Sequence, residues 1–185
     1  KSRVKISLEI AELKFQMAEY HENMALLKEA IPIAEQTDDQ ESLARIFYLL
    51  GKNHYFVGDH QSAMGYYHKV IPIAEKHNIT DLLAIPYCAI GRAYCYICSF
   101  KEAISYIQKG LKVLPKNDQM ERIYSLGILG QSHASLGNKK AALKVAEELA
   151  ATYGETKNDV TVAYIKVFTG TIYAIIDENY QRALS

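Results

Sequence analysis

The chain has 185 residues, 49% of them hydrophobic, and its 21 Lys+Arg balance 21 Asp+Glu to no net charge. That length can bury a sizeable core, and the balance excludes both a disordered chain and the broad positive field of most nucleic-acid binders. No apolar run approaches the roughly 18 residues of a membrane span, no signal peptide opens the chain, and Cys88, Cys95 and Cys98 do not make a secreted disulfide framework. A cytoplasmic protein with no nucleic-acid or membrane partner is the expectation. Fourteen Tyr and no Trp are the one unusual figure.

Along the chain, the first landmark is Ile31-Pro-Ile-Ala-Glu35, which recurs forty residues on as Ile71-Pro-Ile-Ala-Glu75. Asp38-Asp39 comes next as a capping pair. Leu43, Ile46, Phe47, Leu50, His54 and Val57 then keep the three-four spacing of an amphipathic helix, with Gly51 in its middle. Gly58-Asp59 reads as a tight turn, since glycine tolerates positive φ and aspartate caps the next helix. Ala63, Tyr67, Val70, Ile71 and Ala74 carry that second helix to Asn78-Ile-Thr-Asp81. Ile90-Gly91 repeats Leu50-Gly51, Cys98 takes the place of Gly58, and Ala103 that of Ala63. Lys116-Asn-Asp118 opens the next unit, with Leu129-Gly130, Gly137-Asn138 and Ala142; Lys157-Asn-Asp159 opens another, with Thr169-Gly170. No stretch alternates like a strand, so every unit is predicted to be a helical hairpin.

Gly51, Gly91, Gly130 and Gly170 fall in mid-helix, where glycine costs about 1 kcal/mol relative to alanine. Their recurrence predicts a close helix approach in each unit, with Ala63, Ala103 and Ala142 as facing partners. Pro32 and Pro72 lie inside second helices and are expected to kink or end them; Pro86 falls early in a first helix. The chain opens on Lys1 and stops at Ser185 inside an apparent helix, which points to a longer protein with any output domain outside these residues.

Phe47…Leu50-Gly51…His54…Gly58-Asp59…Ala63…Tyr67, repeated as Tyr87…Ile90-Gly91…Tyr94…Phe100…Ala103, resembles the tetratricopeptide repeat (TPR) family. The family's terminal proline is matched by Pro115 alone, and the period is near 40 residues, longer than the usual 34. This long-period type is similar to bacterial regulatory TPR arrays and to some eukaryotic adaptors. The resemblance implies an all-α, right-handed superhelix of antiparallel hairpins, a single array of about 4.5 repeats. Its units are residues 1–37 (degenerate), 38–78, 79–117, 118–157 and 158–185 (truncated).

The resemblance further implies that first helices line a concave groove. The groove places are Arg45, Tyr48, Lys52 and Tyr55, then Ile85, Cys88, Arg92 and Cys95, then Tyr124, Gly127 and Gln131, and finally Tyr164, Val167 and Thr171. Arg45, Tyr48, Lys52, Tyr55, Arg92, Tyr124, Gln131 and Tyr164 are the candidate peptide contacts. Tyrosine offers contact area with few rotors and arginine can fork onto a carboxylate. A basic run of Arg45, Lys52 and Arg92 is expected along the groove, offset by acidic residues on outer positions. The family's chaperone-binding carboxylate clamp is not carried over, because Lys52 stands where an Asn is needed and Gln131 is only amide-like.

No catalytic site is found, and no enzyme, cofactor or metal is expected. Cys95-Tyr-Ile-Cys98 has redox spacing but sits at the far end of a predicted helix, and no fourth zinc ligand lies near it. His54 and His133 replace the repeat tyrosine as packing residues, and no phosphate-binding, dinucleotide or metalloprotease motif occurs. The expected function is a protein-interaction scaffold that takes a peptide or partner segment in its groove. The alternative is the sensory or regulatory half of a larger bacterial signalling protein, such as a transcription regulator or a nucleotide or diguanylate cyclase. A third expectation is a homo-oligomer, stacked through an uncovered stripe near Tyr173, Ile176 and Tyr180.

Overall fold

The structure is a computed structural model that describes residues 2–152 and 158–184, with side chains over 3–152 and 158–178. Among the described residues are nine α-helices and no strand: α1 Ser2–Gln16, α2 Tyr20–Gln36, α3 Gln40–Phe56, α4 His60–Lys76, α5 Ala84–Tyr96, α6 Phe100–Val113, α7 Gln119–Ser135, α8 Lys139–Thr152 and α9 Asp159–Leu184. A 3-10 turn, Thr80–Leu82, precedes α5. The helices form two compact units, Lys1–Pro86 and Tyr87–Ser185.

One turn design recurs. The chain enters the left-handed region at Ala18 (φ 60°), Asp38 (46°), Gly58 (82°), Asn78 (57°), Cys98 (60°) and Gly137 (76°). Each of these turns closes on the helix before it; Gly58 N–H donates to the Tyr55 carbonyl at 3.1 Å and Asp59 N–H to that of His54 at 2.9 Å. This pair of bonds satisfies carbonyls that the helix end would otherwise leave orphaned. Asp39, Asp59 and Asp118 then cap the next helices by accepting from the backbone N–H of Ser42, Ser62 and Glu121.

Glycine suits the left-handed residue, and Asn or Asp tolerates it, but the Cβ of Ala18 and of Cys98 is strained there. Ala18→Gly and Cys98→Gly should each stabilise the protein by about 0.5–1 kcal/mol, the relief of strain exceeding glycine's entropic cost. The measurement is the urea midpoint; a lower midpoint in both variants would contradict it.

α2 and α4 run through Pro32 and Pro72 and end a turn later, at Gln36 and Lys76. Of the two outcomes expected of these prolines, a kink or an end, the end does not occur. Both rings lie on exposed faces, where water can bond the carbonyl that loses its N–H partner. Pro86 sits in the first turn of α5, where its missing N–H has no intrahelical partner to lose.

In the first unit, Ile46, Leu49 and Leu50 of α3 and Tyr67 and Val70 of α4 are fully buried, each contributing about 1.5–3 kcal/mol by burial alone. Two asparagines cross this core: the Asn23 amide donates to the Ala11 carbonyl at 2.9 Å and to Asn53 Oδ1 at 3.2 Å, tying α1, α2 and α3. In the second unit, Ile107, Ile123, Leu126, Leu149, Phe168 and Ile172 form the centre.

The glycine contacts differ from the predicted pairs. A Cβ on Gly51 would meet the Tyr67 ring at 2.5 Å, and one on Gly91 would meet Ile107 at 2.6 Å, so large side chains of the second helix, not Ala63 and Ala103, fill these approaches. At Gly130 the facing side chains are Ile172 and Val145, not Ala142. Gly170 has open space beside it, so no close approach exists there.

Candidate functional site

In the first unit α3 presents Arg45, Tyr48 and Lys52 on one face, spaced three and four residues apart. Leu8, Glu9 and Glu12 of α1, Leu49 of α3, and Asp81 and Leu82 of the 3-10 turn complete the walls of an open hollow of ≈ 450 Å³. A second hollow of ≈ 440 Å³ adjoins it, sharing Leu8, Glu9 and Arg45.

The charges here are mixed. Arg45 donates to Asp81 Oδ2 at 3.0 Å and to Glu41 Oε1 at 3.2 Å. Partial burial works against its charge, but the two carboxylates outweigh it and raise the guanidinium's pKa. Lys52 is different: its Nζ lies 4.1 Å from the centre of the Phe15 ring and 5.6 Å from that of Tyr48, and it makes no ion pair among the described residues. Glu9 and Glu12 are exposed across from it. Tyr55 stands outside the hollow near the end of α3, tilted against His60 with ring centres 5.1 Å apart.

The second unit holds the remaining candidates. Arg92 is buried, and its guanidinium pairs with Glu121 Oε1, which also accepts from Ser125 Oγ at 3.2 Å. Tyr124 packs 5.1 Å from Tyr164 and 5.2 Å from Phe168, forming a half-buried aromatic shelf under the Arg92 guanidinium. Gln131 is half-buried further along α7. Gly127, predicted on the groove, is buried; a Cβ there would fall on the Phe168 ring. Cys88 is also buried, its thiol pushed up to about 12 by burial, so it stays protonated and inert at neutral pH.

The predicted basic run does not stand as such. Besides the exposed glutamates of the second helices, acidic residues lie directly beside it: Glu41 and Asp81 hold Arg45, and Glu121 holds Arg92. Sequence reading also missed Glu9, Glu12 and Phe15, because no spacing rule brings α1 beside α3. Their three-residue spacing on an amphipathic α1 is the only signal the sequence carries for them.

Two further expectations change. By length and composition α9 is apolar enough to cross a membrane, with a mean hydropathy of 1.4 over an 18-residue window. Yet its Ile165, Phe168, Ile172 and Ile176 are buried and it packs against α7 and α8, as a repeat helix does. That burial also covers Ile176, part of the proposed stacking stripe; Tyr173 stays exposed, and Tyr180 lies outside the described side chains. No three His, Cys, Asp or Glu side chains among the described residues are grouped to hold a metal ion.

No curated protein sequence matches the chain. The solved structure of a kinesin light chain of Podosopora anserina, with nearly identical TPR-like repeats, is similar over 97% of this chain and 90% of that one. The TM-score is 0.66 and the sequence identity 18%, a likeness of fold. TPR-like repeat families are generally non-catalytic scaffolds that bind protein partners. The family model described as anaphase-promoting complex subunit 5 matches residues 4–54 and 99–174, more than half of the chain. The chain, a TPR-type repeat protein, belongs to that family.

Proposed function

We propose that the protein is an interaction scaffold whose first unit takes a partner's peptide segment in the hollow between α1 and α3. The observation that carries this reading is Lys52: a half-buried ammonium, held over two aromatic rings and lacking an ion-pair partner among the described residues, in a hollow of peptide-side-chain size. Holding an ammonium on ring faces keeps its charge available while shielding it from water. Glu9 and Glu12 stand opposite, so the segment that fits presents a carboxylate to Lys52, a cation to the glutamates, and an apolar side chain between them. Arg45, already paired twice, braces the wall. Tyr124 and Tyr164 offer a second aromatic surface in the other unit.

The test is selection of peptides on the folded protein from a displayed random library, with affinity then measured for each. Lys52→Glu should weaken the selected peptides at least tenfold, the loss of one charge-assisted contact. Lys28→Glu, on the exposed face of α2, should leave them unchanged. Equal affinities for wild type and a folded Lys52→Glu protein would contradict the assignment.

A further inference from the structure

The turn between α5 and α6 brings two thiols together. Cys95 stands in the last turn of α5, and Cys98 is the left-handed residue just past it, at φ 60°. Cys98 N–H donates to the Cys95 carbonyl at 3.0 Å. A bond from the fourth residue of a turn back to its first goes with Cα atoms less than about 7 Å apart, and a disulfide asks for roughly 4.4–6.8 Å. The sulfurs are neighbours too: burial raises the Cys95 pKa, and the charge of Cys98 adds to that rise, while Ser132 opposes it. At the other five left-handed turns, neither of these two places holds a cysteine.

The pair differs in access. Cys98 is exposed, whereas Cys95 is half-buried, packed on the core of the second unit beside Ser132 of α7. Cys88, seven residues before Cys95, is fully buried and out of an oxidant's reach. Strain alone assigns Cys98 no role, since Ala18 bears the same strain; the partner three residues back does. The C-terminal end of a helix disfavours a thiolate, so the pair lacks the activation of a redox enzyme. Closing a disulfide asks for less: proximity, access and an oxidant.

We propose that Cys95 and Cys98 are a modification site, oxidised by a hydroperoxide to an intramolecular disulfide across the end of α5. The exposed Cys98 thiolate attacks the peroxide; the O–O bond breaks, hydroxide leaves, and Cys98 becomes a sulfenic acid. The Cys95 thiol then attacks that sulfur, forming the S–S bond and expelling water. Hydroxide takes up the proton that Cys98 gave, so two thiols and one hydrogen peroxide yield one disulfide and two waters. Bridging turns the Cys95 sulfur from Ser132 toward the turn. An exposed bridge of this kind is open to reduction by small thiols.

The experiment treats the folded whole chain with a small excess of hydrogen peroxide, alkylates the remaining thiols after unfolding, and weighs the tryptic peptides. Trypsin releases residues 93–101, which hold both cysteines. The expected peptide carries no alkyl group and has lost two hydrogen atoms. Dithiothreitol should restore both thiols, and Cys88 should be alkylated throughout. Cys95→Ser should leave Cys98 as a sulfenic acid that dimedone traps, whereas the parent gives little adduct. Both thiols still free after peroxide overturn the proposal. So does Cys98 driven to sulfinic acid while Cys95 is alkylated, and so does a bridge that joins two chains or reaches Cys88. A bridge formed only in the unfolded protein overturns it as well, because the folded turn is what brings the thiols together.

Discussion

Gly127→Ala is expected to destabilise the protein by about 2 kcal/mol, and Gly91→Leu by about 3 kcal/mol, as overpacking of a filled core. A Cβ at Gly127 falls on the Phe168 ring, which is itself hemmed in by Tyr124 and Tyr164. At Gly91 the obstacle includes the Ile107 backbone nitrogen, 3.0 Å from an added Cβ, which cannot swing aside as a side-chain tip can. The control has the opposite sign. Gly170→Ala and Gly65→Ala add a Cβ where nothing lies within 4 Å, so the helix gains about 0.5–1 kcal/mol from lower backbone entropy in the unfolded chain. Chemical denaturation of the four variants decides the matter: shifts of one sign at all four positions would show that steric contact does not govern these glycines.

The second large effect belongs to Arg92. Truncating it to alanine leaves the Glu121 carboxylate in a mostly buried place without its cation, with the Ser125 hydroxyl and the Cys88 thiol beside it. Breaking a buried pair in this way costs about 3–5 kcal/mol, because one charge stays behind uncompensated. Arg92→Met/Glu121→Leu should recover most of that loss, since an apolar pair of similar volume needs no desolvation of charge. Thermal unfolding of the single and double variants tests the account; a double variant no better than Arg92→Ala would contradict it. An arginine so placed braces α5 against α7 within the second unit.

The hairpins and their turns were legible because their causes are local. Gly58 and Gly137 state their backbone conformation, and Asp39, Asp59 and Asp118 announce the caps that they make. Cys98 keeps the left-handed turn without a glycine: its N–H donates to the Cys95 carbonyl and that of Ser99 to Tyr94, the same pair of bonds as at Gly58. Contacts that cross between helices were less legible. The mid-helix glycines mark closeness but not the filler: the alanines Ala63 and Ala103 are buried, while Tyr67 and Ile107, four residues on and on the same face, reach across to the glycines.

The candidate site divides the same way. Arg45, Tyr48 and Lys52 share a helix face that spacing alone defines, and the structure brings them to one hollow. The carboxylates of Asp81 and Glu121 come 36 and 29 residues later in the chain and meet their arginines only through packing register. Spacing on one helix cannot supply that register.

The central claim is that the hollow between α1 and α3 receives the partner segment. Hydrogen–deuterium exchange with a selected peptide, compared with the free protein, tests it most directly. The account predicts slowed exchange in residues 5–15 and 41–55, with the outer helices α2 and α4 unchanged. Protection confined to α2 and α4, with none in those two segments, would contradict it.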